Sequence, residues 1–194
     1  MDYFSTHGIS LLSKIQHGSH IHVVGVCGVA MAQLAIELTT LGYEVSGSDV
    51  EFYEPMSSLL KNSKVSTIRG YDENNILPSF ALCVIGNSIR KDNPELVTIE
   101  KHKIPYTCFP AALFETVIKN KKSIVVSGTH GKTTTTALTA WSLLSSGNDP
   151  SYFIGGAVSG LSKGLHIGKG AISVVEGDEY DSSFFCKGSK IYLL

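Results

Sequence analysis

Short runs of β-branched and other apolar residues alternate along the chain with longer stretches whose apolar positions recur at helical spacing. Ile21 to Val26 reads as a strand followed by a helix to about Leu41, and Glu44 to Ser48 reads as the next strand. A helix starting near Pro55 and a strand at Val65 to Ile68 follow. The rhythm continues with a strand at Ala81 to Ile85, a helix over Pro94 to Lys103, a short strand at Ile104 to Thr107 and a helix near Ala111 to Ile118. Strands separated by helices predict βαβ units and a parallel sheet, so 21–118 is expected to form one Rossmann-like α/β domain.

The polar segment Lys119-Asn120-Lys121-Lys122 marks an expected domain boundary, and a second α/β unit covers 119–194. It opens with a strand at Ile124 to Ser127, a glycine-bearing turn and a Thr/Ala/Leu-rich helix. It continues through Tyr152 to Ile154, a glycine-rich stretch from Gly155 to Gly170, a strand at Ile172 to Val175 and a strand beginning at Lys190. A parallel nucleotide domain normally has more strands than these, so the unit is expected to be the first part of a P-loop domain. Residues 1–20 form an amino-terminal extension whose Ile9, Leu11, Leu12 and Ile15 fit one amphipathic helix with a packing role.

Charge and cysteine usage narrow the partners. Sixteen Lys and Arg against 17 Asp and Glu give a net charge of -1, without the basic footprint that nucleic acid requires. Cys27, Cys83, Cys108 and Cys186 form no CxxC pair, so neither a zinc knuckle nor a thioredoxin-like site is indicated, and a cytoplasmic protein fits. No apolar run approaches the roughly 20 residues that span a bilayer, and the first twenty lack the apolar core of a secretion signal; no membrane partner is expected.

Two turns carry the chemistry. Gly25-Val26-Cys27-Gly28-Val29-Ala30-Met31 follows the first strand and opens a helix, where backbone N–H groups and the helix dipole favour a diphosphate. Asp49 ends the next strand, 21 positions after Gly28 (49 − 28), close to where dinucleotide folds place the acid that grips a ribose. The full GxGxxG fingerprint is absent, with Met31 at the third-glycine position, which demotes an ordinary NAD site. Gly25 and Gly28 are equally consistent with a plain strand-to-helix turn.

The second turn, Ser127-Gly128-Thr129-His130-Gly131-Lys132-Thr133-Thr134, lies between an apolar strand and a helix, as a phosphate loop requires. Gly128 and Gly131 are separated by two residues instead of the usual four, a short variant. Its amides would wrap the phosphates of ATP, Lys132 would neutralise them and the Thr133 hydroxyl would ligate Mg2+. Glu176, at the end of a predicted neighbouring strand, would supply the second metal ligand. Asp178 and Asp181 read as members of a solvated acidic turn, and His130 is set apart from the other histidines by its place inside the loop.

The Gly-Thr-His-Gly-Lys-Thr-Thr run at 128–134, followed by Val175-Glu176-Gly177-Asp178-Glu179, resembles the Mur ligase family, whose segment has alanine where Gly177 stands. Tyr53-Glu54-Pro55-Met56-Ser57, Gly86-Asn87, Asn93-Pro94 and Asp178 to Phe185 with Ser189-Lys190 look like the muramate-ligase branch that takes a murein tripeptide. Cys186 and Gly188 depart from that branch. The resemblance implies an ADP-forming, ATP-dependent ligase of peptidoglycan synthesis and murein recycling. In it, Gly25, Cys27, Gly28, Val29, Met31 and Asp49 hold the UDP of UDP-N-acetylmuramate. Gly128, Thr129, His130, Gly131, Lys132, Thr133 and Thr134 bind ATP, Lys132 and His130 are catalytic, and Thr133 and Glu176 carry Mg2+. It further implies that the metal-binding histidine and amine-binding domain lie beyond residue 194, so the chain alone is expected not to turn over. The rivals are the L-alanine-adding ligase of the same family, a nicotinamide-dependent oxidoreductase and a non-catalytic nucleotide-binding module.

Overall fold

The computed structural model describes residues 11–156, 161 and 163–177, which fall into two compact units meeting in sequence between Ala112 and Leu113. In the first unit the elements are β1 (His20–Val24), α1 (Val29–Thr40), β2 (Glu44–Asp49), α2 (Met56–Lys61), β3 (Ser66–Arg69), β4 (Leu82–Ile85), α3 (Pro94–Lys101) and β5 (Tyr106–Cys108). The strands lie in the order β3-β2-β1-β4-β5 and every pair is parallel.

The central strands show why the apolar runs were readable. Every residue of β4, Leu82 to Ile85, is buried, as in a sheet covered on both faces. Helix α1 turns Met31, Ala32, Leu34, Ala35 and Leu38 inward and ends where Gly42, at φ +91°, lets its own amide reach the Thr39 carbonyl and that of Tyr43 reach Leu38. Helix α3 starts at an Asn93 side chain that accepts the Glu95 and Leu96 amides, with Pro94 in the first turn.

Two expectations shift. Strand β1 stops at Val24, because the amides of Gly25 and Val26 both turn to the Ser48 carbonyl, at 2.9 and 3.0 Å. The leading segment is not one helix: among the described residues it forms a single 3-10 turn, Leu12–Lys14, and Ile15 is extended. His17 accounts for this, bonding the Leu41 carbonyl at 2.8 Å and stacking on Tyr43, which ties the segment to the α1–β2 turn.

The second unit begins within α4 (Phe109–Leu113), whose π-helical continuation, Phe114–Ile118, packs on β7. Its further elements are β6 (Lys122–Val126), α5 (Lys132–Ser145), β7 (Ser151–Phe153), β8 (Leu165–His166) and β9 (Ile172–Glu176), in the sheet order β6-β9-β7-β8. Among the described residues only the β7–β8 pair is antiparallel. Ala137 and Ala140 of α5 pack with Tyr152, Ile154 and Val174 into the core. Strand β6 starts at the end of the polar segment Lys119–Lys122, two residues before the expected Ile124, since the Lys122 amide bonds the Ala171 carbonyl at 2.8 Å.

The glycine-rich stretch hides β8 and a polar anchor. Asp149 accepts bonds from His166 Nε2 and the Lys169 amide, both at 2.8 Å, while the Lys121 ammonium donates to the carbonyls of Gly168 and Gly170. The Lys169 amide, and then His166, hold the Asp149 carboxyl below the usual carboxylate range. The strand expected from Lys190 lies outside the described residues.

Candidate nucleotide-binding sites

The first turn is built from β2 as much as from β1. Gly47 makes room for it: a Cβ there would stand 2.6 Å from Val26 Cβ and Cγ2 and 2.9 Å from the Val23 carbonyl oxygen. Gly25 adopts φ +84°, which favours glycine, whereas Gly28, at φ −60°, is the N-cap of α1. Asp49 is tied into the turn from both oxygens. Its Oδ2 accepts the Cys27 amide at 2.8 Å, and its Oδ1 accepts the Val50 amide at 2.8 Å and the Tyr71 hydroxyl at 3.3 Å.

The amides of Gly25, Val26 and Cys27 are therefore used inside the chain. Those of Val29, Ala30 and Met31 open α1 and have no acceptor within the helix, so an anion at this turn meets those three. The Met31 side chain is buried, packing toward Gly28 and Gly86, and offers only its backbone. Cys27 fastens the next loop: the Tyr53 amide donates to its Sγ at 3.4 Å and its thiol faces the Tyr53 carbonyl at 3.8 Å. Burial first, and the charges of Asp49 and Glu54 after it, push that thiol up and keep it protonated.

In the second unit, Gly128 and Gly131 take φ +151° and +77°, so the loop bends sharply twice before α5 begins at Lys132. The Lys132 ammonium folds back to donate to the Gly128 carbonyl at 2.8 Å, and His130 Nδ1 lies 3.3 Å from the Thr129 hydroxyl; the loop from Gly128 to Gly131 is exposed. Thr133 faces the loop after β7, where a Cβ at Gly156 would be 3.6 Å from Thr133 Cγ2.

Parallel pairing puts Glu176 opposite Val126, at the carboxyl ends of adjacent strands and next to the start of the Gly128–Gly131 loop. Glu176 is 6% exposed, and its Oε1 has no hydrogen-bond partner among the described residues. A buried carboxylate oxygen left unpaired is costly unless a cation or donor completes it, which is the environment a magnesium ligand needs. The glycine after it has a local reason: a Cβ at Gly177 would approach Val125 Cγ1 to 3.1 Å and Ser127 Cβ to 3.2 Å.

Asp178, Glu179 and Asp181, with Tyr180 to Phe185, Cys186, Gly188 and Ser189-Lys190, lie outside the described residues. What reading by spacing missed is the polar set behind the first turn. His22, Ser48 and Glu95 are fully buried together. The available signal was that His20 and His22 on β1, like Ser46 and Ser48 on β2, alternate with apolar residues and so share one face.

A model of the Mur ligase family, catalytic domain, matches residues 20–119. The UDP-N-acetylmuramate--L-alanyl-gamma-D-glutamyl-meso-2,6-diaminoheptandioate ligase of Escherichia coli K12 is 39% identical over 88% of the chain and 37% of its own length. The UDP-N-acetylmuramate--L-alanine ligase of Myxococcus xanthus is 37% identical over 89% of the chain and 36% of its own length. Among solved structures, a murein peptide ligase from Psychrobacter arcticus superposes with a TM-score of 0.83 at 34% identity, covering 91% of this chain and 41% of that one. The chain thus spans well under half the length of these relatives.

Proposed function

Because the chain belongs to the Mur ligase family, we propose that it supplies the UDP-sugar site and the core of the ATP site of an ADP-forming ligase. That ligase joins L-alanyl-γ-D-glutamyl-meso-diaminopimelate to UDP-N-acetylmuramate. The observation that carries this reading is the presence of two unlike glycine turns ahead of helices, one backed by Asp49 and one beside Glu176, whose Oε1 has no partner among the described residues. The choice of amine is supported by the solved tripeptide ligases, which superpose with TM-scores of 0.83 and 0.80 against 0.72 for an L-alanine ligase.

In this reading the diphosphate of UDP-N-acetylmuramate lies against the Val29, Ala30 and Met31 amides, on the positive end of α1. Gly25, Cys27, Gly28 and Asp49 shape the turn that presents them. Held by this handle, the sugar's lactyl carboxylate is oriented by binding energy remote from the reacting atoms. Lys132 releases the Gly128 carbonyl and turns its ammonium to the β- and γ-phosphates of ATP. The amides of Gly128 to Thr134 cradle those phosphates, and His130 faces them from the loop. Thr133 and Glu176 would hold Mg2+, which supplies neutralisation of the phosphate charge. The carboxylate takes the γ-phosphoryl group to give an acyl phosphate and ADP; the tripeptide amine then displaces phosphate, losing its proton as the amide forms. The chain's part in both steps is positioning and charge stabilisation.

The L-alanine ligase is the second reading, favoured by the Myxococcus relative; product formation with each amine decides between them. A nicotinamide site is opposed by the missing third glycine of the dinucleotide fingerprint, whose place Met31 takes. The direct test is thermal unfolding of the chain with UDP-N-acetylmuramate, UDP or NAD, since a ligand that binds only the folded state raises stability. Stabilisation by the UDP-sugar, weaker by UDP and absent with NAD, is expected. Stabilisation by NAD alone would refute the assignment.

A further inference from the structure

Glu95 is a carboxylate with no accessible surface, set at the amino end of α3. Ser48 Oγ donates to its Oε2 at 2.5 Å and Asn75 Nδ2 to its Oε1 at 2.6 Å, so both oxygens are satisfied. Around this pair His22, also fully buried, brings Nε2 to 3.4 Å from Ser48 Oγ and 3.9 Å from Glu95 Oε2. Its Nδ1 lies 2.8 Å from Ser46 Oγ, and its ring stacks on Phe80. Four elements, β1, β2, α3 and the short 3-10 turn Glu73–Asn75, therefore converge on one carboxylate.

Such a group is a poor device for stability alone. Desolvating a carboxylate is costly, and a well-packed apolar replacement is often neutral or better. What the network fixes is Ser48. The carbonyl of that residue accepts the Gly25 and Val26 amides, and the carboxylate of the next residue, Asp49, accepts the Cys27 amide. Three successive amides of the first turn thus hang on two residues at the end of β2, and Glu95 holds the first of those two from behind.

We infer that Glu95 is a positioning residue for UDP-sugar binding: acting through Ser48, it holds the Gly25–Gly28 turn in the form that leaves the Val29, Ala30 and Met31 amides open to the diphosphate. The inference rests on the reading that this turn is the UDP site.

The test measures the affinity of the chain for UDP-N-acetylmuramate and, separately, for ATP by calorimetry, at a temperature where each variant is folded. Ser48→Ala removes the hydroxyl, and Glu95→Leu removes the acceptor to which both Ser48 and Asn75 donate. Each is expected to weaken UDP-N-acetylmuramate about tenfold, as loss of a hydrogen bond to a charged group does, with ATP affinity unchanged. Leu96→Ala, one residue along α3 and 1% exposed, is the control for lost packing: it lowers the melting temperature and leaves UDP-sugar affinity as it was. Ser48→Thr, which keeps a hydroxyl, restores binding. Should Ser48→Ala fail to fold, Asn75→Ala withdraws the other donor to Glu95 and carries the same expectation.

Affinity of the folded Ser48→Ala or Asn75→Ala chain within about twofold of wild type, or an equal loss in Leu96→Ala, overturns the inference. Wild-type chain that binds no UDP-sugar overturns the proposed site and this inference with it. Wild-type binding that Ser48→Ala leaves intact overturns only the role of Glu95.

Discussion

Gly47→Ala is the sharpest test of how the first turn is built. The added Cβ would lie 2.6 Å from Val26 Cβ and Cγ2 and 2.9 Å from the Val23 carbonyl oxygen. Carbon atoms prefer separations of about 3.5–4.0 Å, so the overlap is close to an ångström. Neither neighbour yields easily: Val26 is fully buried and its amide is bonded to Ser48. Overpacking of this kind costs about 1–3 kcal/mol, and disturbing the Val26 hydrogen bond costs about 1 kcal/mol more. The smaller entropy of the unfolded alanine chain returns roughly 0.4–1 kcal/mol. The net is a destabilisation of about 1–4 kcal/mol, or a fall on the order of 5–30 °C in the melting temperature of a unit of this size. Urea unfolding followed by circular dichroism measures it. Adding Val26→Ala, which removes Cγ2 but not Cβ, is expected to recover part of the loss, giving a favourable coupling in the double-mutant cycle. A loss under about 0.5 kcal/mol, or strict additivity with Val26→Ala, would refute the packing argument.

Glu176→Gln removes a buried charge whose Oε1 has no partner among the described residues; unfolding without ligand is expected to show equal or higher stability, while the extra stabilisation by ATP with Mg2+ over ATP with EDTA disappears. Lys132→Met, at the first residue of α5 and half-buried, removes the ammonium that donates to the Gly128 carbonyl and abolishes the shift in melting temperature produced by ATP, which thermal unfolding of the variant with and without ATP reads directly. Asp49→Asn turns an amide donor toward either the Cys27 or the Val50 amide; titration is expected to show weaker UDP-N-acetylmuramate binding and no gain of NAD binding. The folded-state pKa of Asp149 is depressed by the Lys169 amide and by His166, so its contribution is present above the unfolded carboxylate range and is lost as pH falls through the lower folded value. Asp149→Asn should therefore be less stable than wild type at pH 7, the difference shrinking as pH falls through the unfolded range and vanishing below the lowered folded value in parallel urea titrations.

The parallel core was legible because a strand covered on both faces must be a nearly unbroken apolar run, as in Leu82 to Ile85, and because helices such as Val29–Thr40 separate such runs. Glycines that bend the chain were legible for the same local reason, Gly128 and Gly131 most clearly. Contacts between segments distant in sequence were less so. Asp49 was placed correctly at the end of β2, yet spacing alone gives no sign that its oxygens are taken by Cys27, Val50 and Tyr71. Glu95 in the first turn of a helix reads as a solvent-facing, dipole-matched acid; burial was set by Ser48 and Asn75 arriving from other strands and turns. Strand β8 has two residues among glycines, too short for any period, and owes its place to Asp149 bonding His166 beside it.

The order β6-β9-β7-β8 also bears on how the proposed ATP site comes into being. Among the described residues β6 pairs only with β9, whose first residue follows that of β6 by 50 positions (172 − 122). Strand β7, made earlier, cannot lie beside β6 because β9 occupies the place between them. As the chain leaves the ribosome, the phosphate loop is therefore synthesised well before the strand that carries Glu176 beside it. Non-local pairing of this kind delays closure, so affinity for ATP with Mg2+ should emerge late and abruptly in a series of nascent chains, at the length that first frees residue 176 to fold.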